Sequence, residues 1–443
     1  MESVVITALD QEGRGIARID GKATFVEGAL IGERVTPEIF QRRPSYDQAR
    51  TGTRHSDSPL RVEPLCPHFG VCGGCTMQHL DHAAQVAAKQ RVLEDTLWHV
   101  GRVKAEQILA PIYGRPWAYR HRARLSVRHV VKKGGVLVGF HERKSSFITD
   151  MRTCPVLPAA ISALIPKLRE LFGALSIRTR IPQVELAVGE AANESTTYGP
   201  AEDVIALGLR ILEPLSPADE ARLDAFAEEH GVTWYVQTAG PETVRRLHGT
   251  KEPLKYSLPD FGVEIAFELP DFTQVNADMN RVLVRRTIGL LDPQPGERIA
   301  DFFCGLGNFS LPIARRGAFV VGVEGNRNVV GRAGLNATAN GLADRARFLA
   351  ADLFKATPES VAELGRIDKA LLDPPREGAI ELVKALPESI RRVVYVSCNP
   401  ATLARDAGTL VGNRGYVLRA AGIANMFPQT AHVESIAVFE REG

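Results

Sequence analysis

Arg298-Ile299-Ala300-Asp301-Phe302-Phe303-Cys304-Gly305-Leu306-Gly307-Asn308-Phe309 reads as a short apolar strand running into a glycine-rich turn ahead of a helix. Glycines at such a turn let the backbone approach a ligand closely where strand hands over to helix. Two glycines are weak evidence by themselves, and the third glycine of a dinucleotide fingerprint is missing. The flanking sequence supplies the weight. From about Asp271 onward, strand candidates recur at 298–303, 318–324, 346–350, 369–373, 392–397 and 416–423, with helical stretches between most of them, and 433–439 pairs with the last. Regular βα alternation closed by a terminal hairpin predicts a doubly wound α/β sheet with an antiparallel edge.

Acids fall at the ends of these strands. Asp301 closes the first, Glu324 the second, Asp352 the third and Asp373, in Leu371-Leu372-Asp373-Pro374-Pro375-Arg376, the fourth. A carboxylate such as Glu324 at the end of the second strand commonly takes a ribose diol. Each acid alone would serve as an N-cap of the next helix. Four in register predict an acidic ring around the switch-point crevice, which repels a pyrophosphate and suits a sulfonium, so S-adenosylmethionine fits better than a dinucleotide. Asp-Pro-Pro followed by Arg376 rather than an aromatic points away from amino-group methylation of adenine.

The fifth strand ends in Ser397-Cys398-Asn399-Pro400, placing a cysteine on the same rim as a candidate nucleophile. Glu434, in His432-Val433-Glu434, lies where the terminal hairpin re-enters the sheet; its spacing alone fits a surface residue equally well.

The 443 residues are 44% hydrophobic and 24% charged, the balance of a globular protein with two or three domains. No stretch approaches 18 uncharged apolar residues, and Met1-Glu2-Ser3-Val4 has no secretory character, so a cytoplasmic protein without a membrane span is expected. The net charge of +2 hides an asymmetry. Between Lys89 and Lys144 thirteen lysines and arginines face four acids, and 115–133 holds seven basic residues and no acid, interleaved with Trp117, Tyr119, His121 and His129. That pattern predicts a nucleic-acid partner.

Three of the six cysteines, Cys66, Cys72 and Cys75, lie within ten residues on a Gly- and Pro-containing loop, and Cys154 is the natural fourth. In a reducing compartment such a set predicts metal ligation rather than disulfides. Four thiolates suit zinc or a [4Fe–4S] cluster. The Cys-x5-Cys-x2-Cys spacing departs from that of radical S-adenosylmethionine enzymes.

Residues 1–60, with short apolar runs between Gly13-Arg14-Gly15 and Asp20-Gly21 turns, predict a five-stranded OB-like β-barrel followed by the Arg42, Arg43, Arg50, Arg54, Arg61 series. Helical spacing marks 81–100. Strand candidates at 124–128, 135–140 and 232–238 give a mixed α+β middle.

Together, Asp301–Phe309, Asp373-Pro-Pro-Arg-Glu-Gly378, Ser397-Cys-Asn-Pro400 and His432-Val-Glu434 resemble the RNA 5-methyluridine methyltransferase family. The N-terminal unit resembles a TRAM domain, and the four cysteines match the iron–sulfur ligands of the family's ribosomal branch. The tRNA branch lacks both additions, and another ribosomal branch lacks TRAM. Pro375 stands where a small residue such as Ala is expected.

The resemblance spans the chain. It implies a Rossmann-like class I methyltransferase domain at 269–443, a central iron–sulfur domain with a basic RNA-binding surface at 61–268, and the TRAM-like barrel at 1–60. It makes Cys398 the nucleophile and Glu434 the base. Gln274, Phe303, Asn308, Glu324, Asp352 and Asp373 become S-adenosyl-L-methionine contacts, with Asp373 also near the uracil edge. Cys66, Cys72, Cys75 and Cys154 hold the [4Fe–4S] cluster. The implied substrate is a single-stranded or flipped uridine of 23S ribosomal RNA, with no obligate protein partner. The competing readings are a uridine in tRNA or elsewhere in rRNA, a non-catalytic RNA-binding metalloprotein, and a cysteine-dependent NAD dehydrogenase. The intact Cys398 and Glu434 argue against the second, and the acidic ring against the third.

Overall fold

The computed structural model describes residues 2–190, 203–249 and 253–441. Its C-terminal sheet follows the predicted alternation. Five parallel strands stand in the order Ala346–Ala350, Phe319–Glu324, Arg298–Phe302, Lys369–Leu372 and Arg392–Ser397, and the antiparallel pair Glu434–Arg441 and Tyr416–Ala424 completes the side beyond the fifth. From Arg298–Phe302 the chain winds outward through two strands on one side, then returns to build on the other. The switch point, where ligands of such sheets bind, therefore opens between Arg298–Phe302 and Lys369–Leu372. Helices cover both faces, so the strands read as continuous apolar runs: Val393, Val394, Tyr395 and Val396 are fully buried. At Gly322 the second strand passes so close to Phe348 and Cys304 that an added Cβ would lie 2.6 Å from the Phe348 ring.

Residues 82–108 lie against this sheet rather than with the middle of the chain. Helix His82–Thr96 begins at Asp81, whose carboxylate accepts from Ala83 and Ala84 N–H, and runs into a wide turn at Leu97–Gly101. Val86, Leu93 and Leu97 join the same core as Tyr395, Leu403 and Ala421. Strand Gln107–Ile108 then pairs in parallel with Tyr416–Ala424 at the sheet's outer edge.

The middle of the chain forms a second six-stranded sheet, which includes Arg122–Val130, Gln183–Glu190 and Val232–Gln237, packed by helices Ala159–Ala174 and Pro217–His230 over Phe172, Leu207 and Trp234. The N-terminal unit is a six-stranded sheet around Ile6, Ala17, Val26 and Val35. The expected count was five; Arg34–Arg42 and Tyr46–Ser56, rich in charged residues, are its longest strands and carry little apolar alternation. Among the described residues no helix is long and apolar enough to cross a membrane.

Candidate active site

The turn after Arg298–Phe302 is held open by unusual backbone. Phe303 has φ +64°, Gly305 +53° and Gly307 +95°. Only glycine adopts such angles freely, so Phe303 is a strained position, tied down by its N–H to Val323 O at 2.8 Å. Its ring stands beside Phe354, 5.7 Å between centroids, on the wall of the crevice. Glu324 accepts from the Gly305 N–H at 3.3 Å and the Asn326 N–H at 3.0 Å. Asp352 is exposed, caps the turn Leu353–Lys355 and pairs with Lys355 at 3.2 Å. Asn308 closes a reciprocal amide pair with Asn280 at 2.9 and 3.0 Å and accepts from Tyr256 Oη at 3.0 Å. Gln274 is half-buried on the loop before helix Ala277–Leu291. That loop is fixed by Arg122, which donates to Leu269 O and Asp271 O, and by the His121 N–H to Val275 O at 2.7 Å.

Asp301 corrects the four-acid ring. It is fully buried within its strand, bonded to Ser310 Oγ at 2.5 Å, and faces the following helix instead of the rim. Burial lifts its carboxyl to about 7, and the Asp373 and Glu324 charges add to the lift. Three acids, Glu324, Asp352 and Asp373, remain at the strand ends.

Cys398 and Glu434 meet across the antiparallel pair. Ser397 is in register with Ser435, so the next residue of one strand faces the preceding residue of the other, which sets Cys398 opposite Glu434. Cys398 is half-buried and Glu434 is 2% exposed. Burial raises the Cys398 thiol to about 11, and the Glu434 and Asp373 carboxylates push the same way; the Arg376 guanidinium opposes them. Burial and the Asp373 charge hold Glu434 well above the usual carboxylate range. Asp373 itself is lifted by burial to about 7. Arg376, read in the sequence as part of the Asp373–Gly378 motif and as a sign against adenine methylation, is thus the cation acting on Cys398. It also lies 3.2 Å from His432 Nδ1, and its carbonyl accepts from Asn399 at 3.0 Å.

Cys66, Cys72, Cys75 and Cys154 are all buried thiols lining one enclosed cavity with Phe69, Phe140, Met151 and Arg120. Gly74 lets the loop pass under Phe140, where an added Cβ would lie 3.3 Å from the ring. Burial raises Cys75 to about 11 and Cys154 to about 12, and the other cysteines' charges raise both further. Among the described residues no three His, Cys, Asp or Glu side chains converge as a metal-holding group in this arrangement.

Several residues expected on an RNA surface are buried or held in ion pairs instead. Lys89 is 2% exposed, Tyr119 is fully buried, Arg61 is paired with buried Glu33, and Arg122 is paired with Glu185 at 2.7 Å. Arg124, Arg128, Lys132 and Lys133 are exposed, as are Arg42, Arg43, Arg50 and Arg54.

The chain is 61% identical over its whole length to the 23S rRNA (uracil(1939)-C(5))-methyltransferase RlmD of Aromatoleum aromaticum, the alignment covering all of both proteins. The RlmD of Azoarcus sp. is 58% identical with the same coverage. The chain belongs to the 23S rRNA (uracil(1939)-C(5))-methyltransferase family. Two sequence families divide this family's chain: the TRAM domain matches residues 2–50, and tRNA (Uracil-5-)-methyltransferase matches 234–442, beginning in the central sheet well before residue 269. The family's fold is shared with the Pyrococcus abyssi tRNA (uracil-54, C5)-methyltransferase solved with S-adenosyl-L-homocysteine, at a TM-score of 0.74, 24% identity and 99% coverage of both chains. It is a class I methyltransferase fold with an N-terminal TRAM domain.

Proposed function

We propose that this chain methylates C5 of a uridine in 23S ribosomal RNA, with Cys398 as nucleophile and Glu434 as base. The observation that carries the reading is their register: the two face each other where the fifth parallel strand ends, on the same rim of the sheet as the switch point. Relatives named for 23S rRNA align end to end at 58–61% identity, which favours rRNA over tRNA as substrate. The N-terminal additions do not discriminate as expected, because a tRNA-named enzyme of 24% identity also covers 99% of the chain.

S-adenosylmethionine supplies an electrophilic methyl group. Gln274, Phe303, Asn308, Glu324, Asp352 and Asp373 would hold it, and three strand-end carboxylates suit its cationic sulfonium. Uracil C5 is too weak a nucleophile to take that methyl unaided. Addition of the Cys398 thiolate to C6 makes C5 an enolate carbon, which would take the methyl as the S–CH3 bond breaks and S-adenosylhomocysteine leaves. Glu434 then removes the C5 proton, and elimination of the C6–S bond returns Cys398 and releases 5-methyluridine. Arg376 favours the thiolate. A base inside a duplex cannot reach this rim, so the uridine is single-stranded or flipped. The exposed arginines and lysines of the N-terminal sheet and of residues 124–133 supply phosphate contacts, in the cytoplasm where ribosomes are built.

Cys66, Cys72, Cys75 and Cys154 would hold a [4Fe–4S] cluster: four thiols without disulfide partners line one enclosed cavity, and for Cys72, Cys75 and Cys154, whose burial disfavours the thiolate, metal ligation is the natural way to hold the charge. Four cysteine ligands would leave no coordination site open, so the cluster would serve a structural or redox-sensing role.

Glu434→Gln is expected to methylate and then stall, leaving a methylated protein–RNA adduct as a shifted band on a denaturing gel. Cys398→Ala is expected to bind S-adenosylmethionine and transfer nothing. Free turnover by either variant contradicts the assignment of that residue.

A further inference from the structure

The chain just before Glu434, residues 425–433, forms neither helix nor strand. Gln429 has φ +66°, left-handed without being glycine, so its conformation has to be imposed by neighbours. Those neighbours come from the 76–119 region. Gln85 makes a reciprocal bond with Gln429: its Nε2 donates to Gln429 Oε1 at 3.0 Å, and its Oε1 accepts the Gln429 N–H at 2.9 Å. Gln429 O accepts the Thr76 and Met77 N–H groups at 2.9 and 3.0 Å, and Thr76 Oγ1 accepts the Ala431 N–H at 3.0 Å. Lys89 Nζ spans Asn425 Oδ1 at 2.6 Å and Phe427 O at 2.9 Å, and Tyr119 Oη donates to Pro428 O at 2.8 Å. Thr76 directly follows Cys75. The cysteine loop and the approach to Glu434 therefore form one hydrogen-bonded body.

Cys398 is held differently. It extends a central strand, and the residues around it are fixed locally: Asn399 N–H to Ser397 Oγ at 3.1 Å, Asn399 Nδ2 to Arg376 O at 3.0 Å. Loosening 425–432 would disturb the base more than the nucleophile.

We propose that Gln85 and Thr76 are positioning residues for Glu434, acting on the proton-removal half of the reaction and leaving addition and methyl transfer largely alone. The proposal rests on Glu434 being the base. Both side chains act through the 428–431 turn and touch no reacting atom.

The test is a single turnover of the full-length protein with labelled S-adenosylmethionine and an unmodified 23S rRNA fragment, scoring methyl transfer and adduct release separately. For Gln85→Leu the expected result is transfer within about twofold of wild type and release slowed about tenfold or more, so that a methylated adduct persists on the gel. Thr76→Val loses one hydrogen bond and should slow release about threefold; it carries the test if Gln85→Leu does not fold. Release unchanged, or both steps slowed equally, overturns the positioning role. Glu434→Gln runs alongside. If it forms no adduct, Glu434 is not the base and the proposal falls with that reading; if its band forms while the Gln85 and Thr76 variants release normally, the positioning role alone fails.

Discussion

At Cys398 the surroundings oppose the charge that the chemistry needs. Burial, Glu434 and Asp373 all favour the thiol, which stands near 11, with Arg376 as the counterweight. Below that value the thiolate fraction rises about tenfold per pH unit, so iodoacetamide labelling of Cys398 should climb about tenfold per unit from pH 7 to 9 without levelling. Arg376→Gln should label more slowly at each pH. The other five cysteines are buried and should stay unlabelled in the native protein. A plateau below pH 8 would show a thiolate stabilised by groups other than these. Cys398 is legible in the sequence because a strand end fixes its place on the rim. Glu434 is not: as first residue of its strand, its direction depends on a register set by the pairs Ser397–Ser435 and Ala424–Glu434, 38 and 10 residues apart in sequence. Asp301 looks like its neighbours in spacing yet points inward, because one residue along a strand reverses the face.

Among elements, the parallel strands were the easiest to read. The inner ones are buried on both faces and read as continuous apolar runs, and 392–397 appears with those very bounds; 346–350, at the sheet's edge, keeps its bounds although mostly exposed or half-buried. Helix His82–Thr96 is legible as a helix, but its partner is not. Its buried side includes Gln85, Lys89 and Gln90, polar residues that look like a solvent face until Gln429 and Asn425 are seen across from them. The contact with helix Pro400–Arg414 is a backbone approach through two glycines. A Cβ on Gly101 would lie 2.4 Å from Ala404 O, and one on Gly408 would lie 2.7 Å from Gly101 O. Gly101→Ala must push the two apart, at a cost of about 1–3 kcal/mol. Amide hydrogen exchange should then speed up in Pro400–Arg414 and Leu97–Gly101. Unchanged protection in both would mean that the contact contributes little to their stability.

Across the whole molecule, charge is a poorer guide than fold. The basic excess between 89 and 144 points to nucleic acid, yet Lys89 and Arg122 are spent on holding the chain: one on the approach to Glu434, the other on the loop bearing Gln274. A net-charge count cannot separate a guanidinium that fixes a carbonyl from one that meets a phosphate. Cys75 and Cys154, 79 residues apart in sequence, line one cavity with Cys66 and Cys72, a shared lining that the spacing alone cannot prove. Purified protein should be brown, with iron by metal analysis and broad visible absorbance lost in Cys75→Ser. A colourless, zinc-containing and fully active protein would contradict the cluster. The central claim is tested most directly by transfer of labelled methyl from S-adenosylmethionine to unmodified 23S rRNA fragments and to tRNA transcripts, followed by nucleoside analysis. The account predicts 5-methyluridine in an rRNA fragment and none in tRNA; label in tRNA alone, or in neither RNA while S-adenosylmethionine still binds, would contradict it.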